Sequence, residues 1–162
     1  LHSVLGIPWS TLGWMFAVML IPFVLLEYPA GYLADTRFGD KLFMFVGFVI
    51  TGLAFVATGF VTGSTSIAII LTLLILSRVG AALVEAMTEG HFFRRVSERD
   101  TNTVTIFRMM RPAGALLAPI VGSLLLSIMS YKGFFIVTGF IIVFVGVLSA
   151  KALRNSSTPA CA

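Results

Sequence analysis

Five windows of about twenty largely apolar residues follow one another along this chain, at 12–33, 42–62, 67–88, 104–129 and 133–150. The hydrocarbon core of a bilayer is about 30 Å thick and a helix rises about 1.5 Å per residue, so about 20 apolar residues make one crossing. Five helices of that length account for most of the 162 residues and leave no polar coat for a water-soluble fold. Soluble core helices are shorter and keep a polar face, and these windows show none beyond a few isolated charges. Composition agrees: 58% of the residues are hydrophobic and 11% are charged, against about 25% charged in an ordinary soluble domain. Mean hydropathy is +1.03. The expected fold is all-α, a polytopic transmembrane helical bundle of five spans with a polar tail over 151–162, and its first partner is the lipid bilayer.

Charge placement orients the bundle. If the first span runs from outside to inside, the inner segments hold Arg37, Lys41, Arg94, Arg95, Arg99, Lys151 and Arg154, and the outer segments hold Lys132 alone. Cytoplasmic loops carry the excess of Lys and Arg, so the fragment is expected with its N-terminus outside and its C-terminus in the cytoplasm, in the plasma (inner) membrane. The outer connections, GFVTGSTS and SYKG, are short and nearly uncharged, and the inner connection EGHFFRRVSERDTN is long enough to extend the third helix beyond the bilayer. The net charge of +4 lies mainly in these flanking segments, where topology explains it, so nucleic acid is not an expected partner.

The spans differ in what they carry. Glu27 lies in the first, Arg78 and Glu85 in the third, and Arg108 and Arg111 in the fourth, while the second and fifth carry no charge. A charge in hydrocarbon costs at least about 2.5–3.5 kcal/mol, so charged spans are expected to face protein or water and bare spans to face lipid. One further helix at the front turns this order into two triplets, each ending in a bare helix. Three-helix units repeated within a six-helix half are a known transporter plan. The chain begins at Leu1 rather than methionine and is read as a piece of a longer protein.

Within the first inner connection stands GYLADTRFGDK, residues 31–41. It resembles the G-x-L-a-D-r/k-x-G-r-k signature of the major facilitator superfamily, with Gly31, Leu33, Ala34, Asp35, Arg37, Gly39 and Lys41 in the matching roles. Thr36 is an extra residue, and Asp40 occupies a place the family usually gives a base. The residues suit such a role physically. Gly31 lets helices approach closely, Gly39 permits a tight turn, and Asp35 is suited to pair with a base or to sit at a helix N-terminus. The resemblance implies a cytoplasmic latch between two halves of a transporter that works by alternating access. The plainer reading is a charged turn that only sets topology. By spacing, the five spans match the second to sixth helices of one half, and the polar end favours the C-terminal half. The resemblance also implies a missing half as partner, a small-molecule solute, proton or ion coupling, and a fragment inactive alone.

Arg78, Glu85 and Glu89 lie at i, i+7 and i+11, within a stripe about 40° wide on one helix. They point to a cavity or polar seam, with Glu85 suited to bind a proton or a cationic group and Arg78 to hold an anionic group or to neutralise Glu85. The alternative is a structural ion pair. Arg108 and Arg111 lie one turn apart, about 6–11 Å into the fourth span, and either snorkel to headgroups or pair with Glu27 or Glu85. Ala115, Ala118 and Gly122 continue the same face, marking close packing, and Pro112 and Pro119 are expected to kink the helix. The single cysteine, Cys161, makes no internal disulfide. His2 and His91 are far apart, and neither HExxH, GxSxG nor a glycine-rich phosphate loop occurs. No metal, cofactor or enzymatic activity is expected. The rival readings are a non-transporting membrane scaffold and a membrane-embedded enzyme.

Overall fold

A computed structural model describes residues 8–22, 25–26, 29, 39–94, 96 and 101–152. Its elements are helices: α1, Trp9–Val18; α2, Gly39–Thr58; α3, Ile67–Phe93; α4, Thr101–Ile128; and α5, Tyr131–Ala152. Among the described residues there is no strand. Four of these helices, α2 to α5, are long and apolar enough to cross a membrane. The protein is all-α, as its apolar windows require. Further helical positions recur after α1 at 21–22, 25–26 and 29, and the rest of the 12–33 window lies outside the described residues.

Local chemistry sets the helix ends. Ser66 caps α3, its hydroxyl accepting from the Ala68 N–H at 3.4 Å. Ser130 precedes α5 and accepts from the Gly133 N–H at 3.3 Å. Such caps satisfy donors that the first turn of a helix leaves unpaired. Hydroxyls inside the helices turn back onto their own backbone: Thr51 donates to the Gly47 carbonyl at 2.8 Å, Thr58 to Ala54 at 2.7 Å and Thr88 to Val84 at 2.7 Å. In a bilayer this matters, because no water is available to take those protons. α3 continues past Thr88 to Phe93, and α4 runs as one helix through Pro112 and Pro119.

α2 is the hub, packed along its length against α3 on one side and α5 on the other. Glycine pairs make this possible. A Cβ on Gly47 would stand 2.8 Å from the Gly80 carbonyl oxygen, and one on Gly80 would stand 2.6 Å from that of Gly47. Against α5, a Cβ on Gly52 would meet the Gly139 oxygen at 2.8 Å, and one on Gly139 the Gly52 oxygen at 2.7 Å. Farther along α5, Phe48 lies over Gly146 and leaves no room for a Cβ there. Lipid tails are as apolar as leucine, so close packing of small residues, not exclusion of water, draws such helices together.

Two apolar clusters complete the core. Leu12 and Met15 of α1 pack with Val61 and Ile70, and Leu83 and Met87 of α3 pack with Phe43, Met44 and Ile50 of α2. The bare helix α5 exposes Val137, Phe140, Ile141, Phe144, Val145 and Leu148, a one-sided stripe at helical spacing and a surface suited to lipid. The other bare helix, α2, shows Leu42, Phe45, Val46 and Leu53 outward while its remaining faces are enclosed. α4 differs from the rest in having no buried residue along its 28 positions.

Candidate functional site

Most of the described charges gather at one end of the bundle, where α2 and α4 begin and α3 and α5 finish, while Arg78 lies midway along α3. At the opposite end the ammonium of Lys132 lies 4.5 Å from the centre of the Phe60 ring, joining the end of α2 to the start of α5.

Two ionic groupings occupy the charged end. In the first, the Asp40 carboxylate at the start of α2 takes both His91, whose Nδ1 stands 3.1 Å away, and the Arg94 guanidinium. Asp40 and His91 are largely enclosed, with side chains 11% and 16% exposed, so this grouping clamps the start of α2 to the end of α3. Asp40, the departure from the superfamily signature, therefore pairs with basic groups on the next helix. The second grouping joins α3 to α4. Arg111 binds Glu85 and also Glu89, the latter at 2.8 Å. Beside it Phe107 of α4 stacks on Phe92 of α3, ring centres 3.9 Å apart and planes 9° from parallel. These contacts tie the start of α4 to α3; the rest of α4 has little support, Gly122 approaching Phe134 of α5.

Between α3 and α4 lies a cleft of about 710 Å³. One wall carries Glu85, Thr88 and Glu89, and the other carries Arg108 and Arg111. Phe93, Phe107 and Met110 make its apolar parts. Its polar groups thus come from the two charged helices, and all of them sit within the last turns of α3 and the first turns of α4.

The structure brings Glu85 and Arg111 together. Arg78 shares a helix with Glu85, but two turns of helix separate them, and Arg111 arrives from the side to take the carboxylate. Arg78 is half-buried and has no ion pair or hydrogen bond with a described residue. Arg108 lines the cleft and likewise has none. Glu27, Gly31, Leu33, Asp35 and Arg37 lie outside the described residues. Of the signature, Gly39 opens α2 and Lys41 follows within it. Among the described residues no group of His, Cys, Asp and Glu is placed to hold a metal ion.

Sequence reading missed the clamp of Asp40 by His91 and Arg94. Asp40 stood out only as a departure from the signature, and its partners lie 51 and 54 positions along the chain. The Phe92–Phe107 stack was equally hidden, since both rings belong to a phenylalanine-rich background of 15.

A bundle of membrane-length helices packed through glycine pairs, with most of its described charges gathered at one end, defines a polytopic integral membrane protein. The sequence profile of the Major Facilitator Superfamily matches residues 1–160, and the chain belongs to that superfamily, one of membrane transporters. It is also similar to a protein named probable sulfoacetate transporter SauU from Cupriavidus necator, 30% identical over 117 residues. That alignment covers 72% of this chain and 27% of the relative, so the chain spans about a quarter of the relative's length. No solved structure matches the chain.

Proposed function

We propose that this chain forms five of the six helices in the C-terminal half of a secondary active transporter, which moves a small organic solute by alternating access. The missing half and one further helix complete the path. The residue pattern supports a cytoplasmic latch of Gly31, Leu33, Asp35, Arg37, Gly39 and Lys41, the N-terminus of the chain lying outside and its C-terminus in the cytoplasm. Glu27, Arg78, Glu85, Arg108 and Arg111 are the candidates for an intramembrane charge or coupling network, of which Glu85 and Arg111 are in contact. Its coupling ion is a proton or another small cation, with Glu85 the carboxylate suited to carry it.

The observation that carries this reading is α4. In a chain that belongs to a superfamily of transporters, it holds the charges that complete the cleft and leaves Leu116, Leu117, Ile120 and Leu124 uncovered. A helix with charges in a cleft and an uncovered flank suits the seam between two moving halves. The relative's name points to sulfoacetate, a small organic anion, as a first solute to try.

Reconstitution in liposomes tests the reading. The complete transporter is expected to show saturable, gradient-driven uptake, and this chain alone none. Saturable uptake by the isolated chain would show that the second half is dispensable and would end the proposal.

A further inference from the structure

We infer that the cleft between α3 and α4 takes an oxyanion on Arg108, so that the transported solute is a small organic anion. This rests on the transporter reading and deepens it. Arg111 is already held by two carboxylates, Glu85 and Glu89. That leaves both acidic groups of the cleft committed and Arg108 without an ionic partner among the described residues, three positions from Arg111 on the same wall. A guanidinium is always charged and offers a planar fork that matches a carboxylate, sulfonate or phosphate with two parallel hydrogen bonds. Inside a membrane span an ionised group without a partner is unfavourable and marks a path or a binding position. Arg78, half-buried on α3 and equally without a partner among the described residues, adds positive potential on the same helix pair.

The rest of the cleft fits the same ligand. Phe93, Phe107 and Met110 supply an apolar surface for a short carbon skeleton. Thr88 donates its proton to the Val84 carbonyl, which leaves its oxygen as an acceptor for a hydroxyl or a protonated acid. Arg111 offsets only one of the two carboxylates of Glu85 and Glu89, so the cleft's four charged groups balance and the oxyanion is held by its direct contact with Arg108 rather than by a net positive field. A phospholipid headgroup is a second source of the same oxyanion, and the test separates the two.

The complete transporter is reconstituted in vesicles of phosphatidylethanolamine and phosphatidylglycerol. Uptake is measured for sulfoacetate, succinate, inorganic phosphate, choline and glucose. At least one of the three anions is expected to enter saturably. Arg108→Gln should raise its KM by about tenfold or more with little change in kcat, the pattern of a lost binding contact, and Arg108→Lys should recover part of the loss. Should the glutamine variant not fold, a Thr88→Cys probe in a Cys161→Ser background keeps the question open to measurement: the transported anion should slow its labelling by a maleimide. Uptake of choline or glucose without any anion would overturn the solute class and leave the transporter reading standing. An anion whose KM ignores Arg108→Gln, or which leaves labelling of the Thr88→Cys probe unchanged, would overturn the site. So would a variant whose only change is a lost response of its melting temperature to phosphatidylglycerol, which assigns Arg108 to a headgroup. Transport of none of the five would overturn both readings.

Discussion

Gly80 shows how much one missing methyl decides here. Its Cα faces the Gly47 backbone so closely that a Cβ would stand 2.6 Å from the Gly47 oxygen and 2.8 Å from the Thr51 nitrogen. Both are backbone atoms and cannot swing aside, so Gly80→Ala forces α2 and α3 apart. Overpacking of this kind costs about 1–3 kcal/mol and is expected to lower the melting temperature of the detergent-solubilised protein. Gly114 on α4 is the control. Nothing stands within 4 Å of a Cβ placed there, and alanine favours a helix over glycine by about 1 kcal/mol. In the isolated chain Gly114→Ala should therefore leave the melting temperature unchanged or raise it. The sequence shows both as glycines inside apolar runs. Which one is indispensable depends on the neighbour, and no local pattern names the neighbour.

Between elements, the charged contacts act as ties at one end of the bundle. Asp40 binds His91 and Arg94 across the α2–α3 junction, while Glu85 and Glu89 bind Arg111 across the α3–α4 junction. Arg94 and Asp40 make a basic–acidic contact, so reversing the sign of either residue should weaken the tie and reversing both should restore it. The expected outcome is a lowered melting temperature for Asp40→Arg and for Arg94→Asp, with the double exchange recovering part of the loss. A double-mutant cycle reads the coupling directly; additive losses would show that the contact contributes nothing. Most of this arrangement was hidden in the sequence. The stripe of Arg78, Glu85 and Glu89 was legible because helical period is a local property. That Arg111, and not Arg78, takes Glu85 was settled by the way α4 lies against α3.

For the whole molecule, the exposed surface tells where lipid and protein belong. α5 turns a stripe of large apolar residues outward, and α4 has no buried residue at all. Expected topology gives a direct check. With Cys161 replaced by serine, single cysteines introduced at the positions of Ser64 and Arg94 should be labelled by a membrane-impermeant maleimide from opposite faces, the first from outside and the second from the cytoplasm. Labelling of both from one face would refute α3 as a membrane crossing, since it lies between them, and labelling of the Ser64 position from the cytoplasm with the Arg94 position from outside would refute the inside-positive orientation. The same bare surfaces predict that the chain needs detergent or lipid to remain monodisperse.

By itself the sequence determined that this protein is a set of membrane-crossing helices, because the length and apolarity of a span are properties of consecutive residues and the bilayer imposes the rest. It also carried the superfamily resemblance in residues 31–41 and the polar stripe on α3. The tertiary structure alone decided that α2 sits between α3 and α5 and that glycine meets glycine at both contacts. It alone decided that Arg111 closes on Glu85 and Glu89 while Arg108 lines the cleft without an ionic partner among the described residues. Those outcomes depend on which surfaces meet across long separations in sequence, and apolar helices look alike until close packing distinguishes one face from another.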